Sequence, residues 1–285
     1  NKGAGMEPLV TTAWLEKELG ASDIRVVDAT KFLGDSERNA RAEYEAGHIP
    51  GAVFMDLAEL VDPNDPIDNM APKAEKFASR MQSLGLGDGS RIVLYDDSPL
   101  ASASRAWWLL KLFGAHDVAL LDGGLAKWKA EGRPLEMGNH TLRHRHFTVW
   151  RDAAVVRTKD QVLANVESGA EVLVDARGAA RFTGEDRDPR PGVAPGHIPG
   201  SRNVPHSTLF NDDGTWKSAD DLRAAFVAAG IDLAKPMITT CGSGMTASTV
   251  AFAAHLIGKE DVAVYDGSWT EWGADPATPK ATGAA

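Results

Sequence analysis

Gly47-His48-Ile49-Pro50-Gly51 returns as Gly196-His197-Ile198-Pro199-Gly200, an offset of 149 residues, and this repetition decides the fold class. Two further matches flank it in the same order. Val26-Val27-Asp28-Ala29 returns as Leu173-Val174-Asp175-Ala176 at an offset of 147. Asp122-Gly123-Gly124 with Trp128 returns as Asp266-Gly267-Ser268 with Trp272 at an offset of 144. Ordered matches with a slowly drifting offset mark a duplicated domain, because the period is far longer than a solenoid unit. The expected bounds are residues 6–134 for a first domain, 135–157 for a linker carrying the basic and polar run His140 to His146, and 158–285 for a second domain. Half of a 285-residue chain is an ordinary domain length.

Each half alternates strand and helix signals. Residues 25–29, 91–96 and 118–122 are short apolar or β-branched runs, separated by helical stretches at 14–19, 72–84 and 102–113. The second half repeats this with strands at 171–176, 237–240 and 261–266 and helices at 159–167, 220–229 and 245–257. Continuous apolar strands with helices between them predict an α/β class, with a mainly parallel sheet covered by helices on both faces in each domain. Chemistry in such sheets gathers at the carboxyl ends of the strands.

Composition narrows the partners. A hydrophobic fraction of 43% and a charged fraction of 25% describe a globular chain, and a formal charge of −10 argues against nucleic acid or an anionic membrane as a general partner. The longest apolar run, Ala106 to Phe113, is interrupted by Lys111 and is too short to span a bilayer. No charged segment followed by an apolar one opens the chain, and Asn1 to Gly5 ahead of Met6 read as an expression remnant, so the expected location is cytoplasmic. One cysteine allows no internal disulfide and no thiolate metal cluster, and no metal or cofactor is expected.

That cysteine lies in Cys241-Gly242-Ser243-Gly244-Met245-Thr246, between the strand ending at Thr240 and a following helix. Two glycines let the backbone curl and aim several N–H groups at the sulfur, and a helix start adds positive potential. Such a cradle suits a thiolate or a persulfide anion. Free cysteines are often plain buried residues, but the strand-to-helix position and the flanking glycines favour a nucleophile. Asp96 stands opposite Cys241 in the first half, so that half has no nucleophile.

The paired His-Ile-Pro-Gly segments, the Cys-Gly-Ser-Gly loop and the Asp-Gly-Ser-Trp-x-Glu-Trp segment ending at Trp272 resemble the tandem-domain rhodanese sulfurtransferases, from about Val10 to Trp272. Cys-Gly-Ser-Gly-x-Thr is similar to the branch that uses 3-mercaptopyruvate. The thiosulfate-using members carry Cys-Arg-Lys-Gly, with positive charge where this chain has Gly242 and Ser243. Met245 stands in place of the family's usual valine, with only a packing effect expected. The resemblance implies two rhodanese-like domains and ping-pong sulfur transfer. Cys241 would attack the donor sulfur, pyruvate would leave, and the persulfide would pass its outer sulfur to cyanide or to a thiol acceptor such as thioredoxin.

The resemblance further implies that Arg181 and Arg190 grip the keto-acid end of the donor, for which a forked guanidinium is suited. The residues alone also allow a solvated loop, with Glu185, Asp186 and Asp188 as partners and with Arg187 and Arg202 nearby. Some relatives use a loop serine, a histidine and an upstream acid as a proton relay. Ser243 and His48 match the first two, whereas the acid position is Asn39. Because His-Ile-Pro-Gly occurs in both halves, a turn-fixing role is the alternative for His48. Trp107 and Trp108 read as helix core, Arg105 as a helix ion pair, and His140, His144 and His146 as a solvated linker strand. A phosphatase of this fold would need Cys-x5-Arg, and the sixth residue after Cys241 is Ala247. A non-catalytic sulfur carrier and a thiosulfate enzyme remain the competing readings.

Overall fold

Val, Ile and Leu fill the strands that build two separate sheets, and the computed structural model describes them within residues 5–285. The remnant reading of Asn1 to Gly5 therefore lies, apart from Gly5, outside the described residues. The first unit contains β1 (Leu9–Val10), α1 (Thr12–Glu18), β2 (Ile24–Asp28), α2 (Ala40–Ala46), β3 (Val53–Phe54), α3 (Ala74–Ser83), β4 (Arg91–Tyr95), α4 (Ala103–Leu112), β5 (Val118–Leu121) and α5 (Gly124–Ala130). The second contains β6 (Val156–Arg157), α6 (Lys159–Ser168), β7 (Val172–Asp175), α7 (Ala179–Thr183), β8 (Arg202–Asn203), α8 (Ala219–Ala228), β9 (Met237–Thr240), α9 (Ala247–Leu256), β10 (Val262–Tyr265) and α10 (Ser268–Trp272).

The sheet orders are β1-β5-β4-β2-β3 and β6-β10-β9-β7-β8. Every ladder is parallel. All residues of β5, β9 and β10 are buried, and because side chains alternate along a strand, both sheet faces are covered. The predicted α/β class and duplication are what the structure contains. Order reverses between β4 and β2, and again between β9 and β7. The carboxyl ends of each of these pairs form the crevice where open parallel sheets bind ligands.

Local chemistry sets the helix boundaries. Thr158 and Gln161 form a reciprocal capping box that starts α6, and Asn39 Oδ1 accepts the Ala42 N–H to start α2. Asn39 is thus a helix cap rather than a relay acid. The α4 and α9 helices are buried almost all round, which their Ala, Leu, Phe and Trp content permits. Trp107 and Trp108 lie in this core as expected, and the Arg105 guanidinium stacks 4.7 Å over the Trp108 ring.

Several boundaries depart from the contiguous bounds that the sequence suggests. Asp62–Ala71 belongs to the second unit and Asn211–Trp216 to the first. Each segment is tied by one main-chain N–H to the equivalent aspartate, Ala71 to Asp266 (2.7 Å) and Trp216 to Asp122 (2.9 Å). Residues 156–157, read as linker, form the edge strand β6, because two residues suffice to add a ladder to β10. Residues 139–150 form no strand, and His140 instead faces Glu136 across 3.2 Å. The shortest elements escaped the sequence reading, since β1, β3, β6 and β8 are two residues each and carry no periodicity.

Candidate active site

Cys241 follows β9 directly and is 1% exposed. The Gly244 N–H points at its sulfur, with N to Sγ 3.0 Å. Gly244 has φ +83, a conformation that glycine adopts without strain, and the chain turns there from the loop toward α9. The α9 helix starts at Ala247, close behind the loop. Met245 is buried, in keeping with a packing role. The Ser243 and Thr246 hydroxyls take no hydrogen bond among the described residues and are half-buried. Ser243 is thereby left available to a bound molecule.

The segment after β10 pins this loop. Trp269 N–H donates to the Cys241 carbonyl at 2.9 Å, and both the N–H and the hydroxyl of Thr270 donate to the Gly242 carbonyl at 2.9 and 2.6 Å. Ser268 is the hub. Its hydroxyl accepts the Cys241 N–H at 3.2 Å, donates to the Tyr265 carbonyl at 2.8 Å, and stands 4.0 Å from the sulfur. Ser268 is fully buried with φ +52, an arrangement that costs a non-glycine residue about 1 kcal/mol. The first unit has Gly124 at the matching place with φ +59, and no cysteine. In the sequence this segment served only as a repeat match and as part of the family resemblance. The Ser-for-Gly difference between the two copies was the signal that could have singled it out.

This asymmetry yields a test. Ser268→Ala is expected to leave the Cys241 N–H unpaired and lower sulfur-transfer efficiency roughly tenfold or more, from a lost buried hydrogen bond of about 1–3 kcal/mol. Ser268→Gly loses the hydroxyl but takes the backbone without strain, so its melting temperature is expected above that of Ser268→Ala. Thermal unfolding of both variants reads this, and the reverse order would refute the strain argument.

At the carboxyl end of β7, Asp175 and Arg177 form a buried ion pair with contacts of 2.8 to 3.2 Å. Arg177 also donates to the Gly196 carbonyl at 2.7 Å and lies 4.8 Å over the Trp269 ring. The first unit has Thr30 at this place, so the pair belongs to the copy with the cysteine. Asp188, with its side chain 2% exposed, holds Arg190 through contacts of 3.0 and 3.2 Å to Nη1. The guanidinium lies against Gly242: a Cβ built there would stand 3.0 Å from Nη2 and 3.3 Å from Nη1. Of the two predicted donor-gripping arginines, Arg190 is therefore brought to the loop. Arg181 sits in α7, beyond the carboxyl end of β7, half-buried, and its guanidinium makes no hydrogen bond or ion pair among the described residues. Arg202 is elsewhere. It lines a cavity with Val172, Gly230 and Lys235 at the amino end of the sheet.

The relay expectation for His48 finds no support in the geometry. Its ring is fully buried and stacks 4.3 Å from Tyr44, with one nitrogen on the Ile49 carbonyl at 2.9 Å and the other on the Gly138 carbonyl at 2.8 Å. His197 is held in the same manner, stacked 3.8 Å from Phe182 and bonded to the Phe182 carbonyl at 2.7 Å. Both rings pack against an aromatic side chain and lie within hydrogen-bond distance of main-chain carbonyls.

Asp96 occupies the Cys241 position of the first unit. Its carboxylate accepts the N–H groups of Ser98 (3.1 Å) and Ala103 (2.8 Å), and its carbonyl accepts Leu125 N–H at 3.1 Å as Cys241 accepts Trp269. Burial nevertheless pushes the carboxyl up to about 6 from its ordinary 3.8. A raised value means that this group favours folding most below about pH 4, and that contribution is lost as pH rises through about 6. Asp96→Asn is expected to flatten the dependence of urea stability on pH across that window, and an unchanged slope would overturn the assignment.

The rhodanese-like domain model matches residues 11–131 and again 158–275. The chain is 41% identical over 270 residues to human 3-mercaptopyruvate sulfurtransferase, covering 93% of this chain and 91% of that protein. It is 39% identical over 271 residues to the thiosulfate sulfurtransferase of Cricetulus griseus, at 93% and 91% coverage. Among solved structures, the 3-mercaptopyruvate sulfotransferase SseA of Escherichia coli superposes with a TM-score of 0.85 at 37% identity, covering 93% of this chain and 99% of that one.

Proposed function

This chain belongs to the rhodanese family, and from that premise we propose that it is a 3-mercaptopyruvate sulfurtransferase that works through a persulfide on Cys241. The observation that carries the reading is the uncharged loop: Gly242 and Ser243 follow Cys241 where a thiosulfate enzyme would carry two positive charges, and the Arg190 guanidinium lies against it. A thiosulfate dianion calls for more positive charge than this, whereas a 2-keto acid carries one carboxylate for a forked guanidinium to hold.

In the first half-reaction the Cys241 thiolate attacks the thiol sulfur of 3-mercaptopyruvate. The S–S bond forms as the C–S bond breaks, and the electron pair leaves on the pyruvate enolate. The donor's S–H proton ends on the enolate carbon, so pyruvate departs and the persulfide remains as an anion. Gly244 N–H and the start of α9 stabilise that anion. Arg190, with Arg181 as its partner in the same role, holds the carboxylate and carbonyl of the donor. Ser243, whose hydroxyl takes no hydrogen bond among the described residues, would pass the proton in this reading. In the second half-reaction an acceptor thiol attacks the outer sulfur and the Cys241 thiolate leaves. With no second cysteine to close an internal disulfide, sulfide release needs an external dithiol, of which thioredoxin is the type. Such an acceptor works in a reducing compartment, of which the cytoplasm is one.

The test is pyruvate release from 3-mercaptopyruvate with a dithiol acceptor, set beside thiocyanate formation from thiosulfate and cyanide. Catalytic efficiency with mercaptopyruvate is expected to exceed that with thiosulfate by at least tenfold. Dominant thiosulfate turnover would keep the persulfide and overturn the donor reading. Turnover of neither donor would favour a carrier.

A further inference from the structure

The acidic loop before the second His-Ile-Pro-Gly segment contains four charged residues in a row, Glu185-Asp186-Arg187-Asp188, and three of them are exposed. Asp188 is the exception. Its carboxylate is almost wholly removed from water, and its hydrogen bonds among the described residues all come from Arg190: the main-chain N–H at 2.9 Å, and Nη1 at 3.0 and 3.2 Å. A carboxylate withdrawn from water with a single charged partner is a fixed anchor, because separating the pair would leave a buried charge uncompensated. Asp188 occupies Nη1 and leaves Nη2 and Nε of Arg190 without a hydrogen bond among the described residues. Nη2 is the atom that comes within 3.0 Å of where a Cβ of residue 242 would be. Gly242 has no positive φ, so backbone conformation does not demand glycine there. The demand is for space, and Arg190 takes it.

We propose that Asp188 is a positioning residue that seats the Arg190 guanidinium over residue 242, and that Gly242 determines donor choice through the room it leaves for that guanidinium as well as through its lack of charge. This rests on the sulfurtransferase reading above and adds a steric cause to it. A methyl group at residue 242 would stand 3.0 to 3.3 Å from Nη2 and Nη1, tighter than most Cβ contacts, so the guanidinium must give by a few tenths of an ångström, and the buried Asp188 carboxylate that holds Nη1 opposes that shift. An arginine or lysine in this loop would therefore act twice, by adding charge and by displacing Arg190.

The experiment compares wild type, Gly242→Ala, Asp188→Asn and the double variant in steady-state turnover of 3-mercaptopyruvate with a dithiol. Iodoacetamide alkylation of Cys241 provides a readout that does not depend on turnover. Each single change is expected to raise KM about tenfold, with kcat falling by less than threefold and the alkylation rate changing by less than twofold. The double variant is expected to match the singles rather than multiply them, since both changes displace one guanidinium. Charge alone predicts that Gly242→Ala, which adds none, leaves KM where it was. An unmoved KM in that variant, effects that multiply in the double, or an alkylation rate that falls with KM would each overturn the proposal. A wild-type enzyme that used thiosulfate and not mercaptopyruvate would instead refute the donor reading. The same ratios measured with thiosulfate would then decide the seating of Arg190.

Discussion

Cys241→Ser is expected to reduce sulfur transfer from both mercaptopyruvate and thiosulfate by on the order of 10⁴-fold or more, because a hydroxyl at neutral pH is neither ionised nor able to store a sulfane sulfur. The exchange is nearly isosteric. The Gly244 N–H can donate to a serine oxygen as it does to the sulfur, and the Cys241 main-chain bonds to Ser268 and Trp269 do not involve the side chain. The fold is therefore expected to survive, with a melting temperature within a few degrees of wild type. Mass spectrometry after donor treatment separates chemistry from folding. Wild type is expected to gain the mass of one sulfur atom and the variant none. Sulfur retained by the variant would place the persulfide elsewhere and remove Cys241 from the mechanism.

Arg177→Ala is expected to be the most damaging single change to the stability of the second unit. It strips the only arginine from a pair whose side chains are 8% and 1% exposed, leaving the Asp175 carboxylate buried without a countercharge. Breaking such a pair from one side costs roughly 3–5 kcal/mol. The variant also loses the bond to the Gly196 carbonyl and the contact with the Trp269 ring, which together tie the Arg190 loop and α10 to the end of β7. For a unit of this size the melting temperature is expected to fall by roughly 10 °C or more. Asp175→Leu combined with Arg177→Met is expected to recover part of the loss, since no charge is then stranded. Urea unfolding followed by tryptophan fluorescence reads all three proteins. A loss below about 1 kcal/mol in Arg177→Ala would mean that water reaches the carboxylate and that the pair is dispensable.

The first unit shows the counterpart of that pair. Asp28 ends β2 as Asp175 ends β7, and Thr30 keeps the main-chain N–H bond of 2.9 Å that Arg177 also makes but has no guanidinium to pair with the carboxylate. Burial accordingly pushes the Asp28 carboxyl up. Duplication kept the strand ends and their hydrogen bonds in both copies, while the charged and nucleophilic side chains stayed in one. Ala29 N–H to the Tyr95 carbonyl and Ala176 N–H to the Thr240 carbonyl, each at 2.8 Å, show how closely the backbones still agree.

Much of this was legible in the amino-acid order alone. The duplication, the α/β class, the six longer strands and the placement of Cys241 between a buried strand and a helix follow from local composition and from a pattern written twice. Such signals need only neighbouring residues. The remaining features depend on where distant segments return. Ser268 reaches the Cys241 main chain from 27 residues away, and Asp188 seats Arg190 against a loop that follows a different strand. His48 matches a catalytic pattern by residue type, yet stacking on Tyr44 and two main-chain carbonyls take up its ring. A sequence determines which chemical groups a chain possesses and which strands can carry them. Only the folded chain decides which of those groups lose their water together, and that loss of water separates an anchored arginine from a solvated one and a sealed histidine from a base.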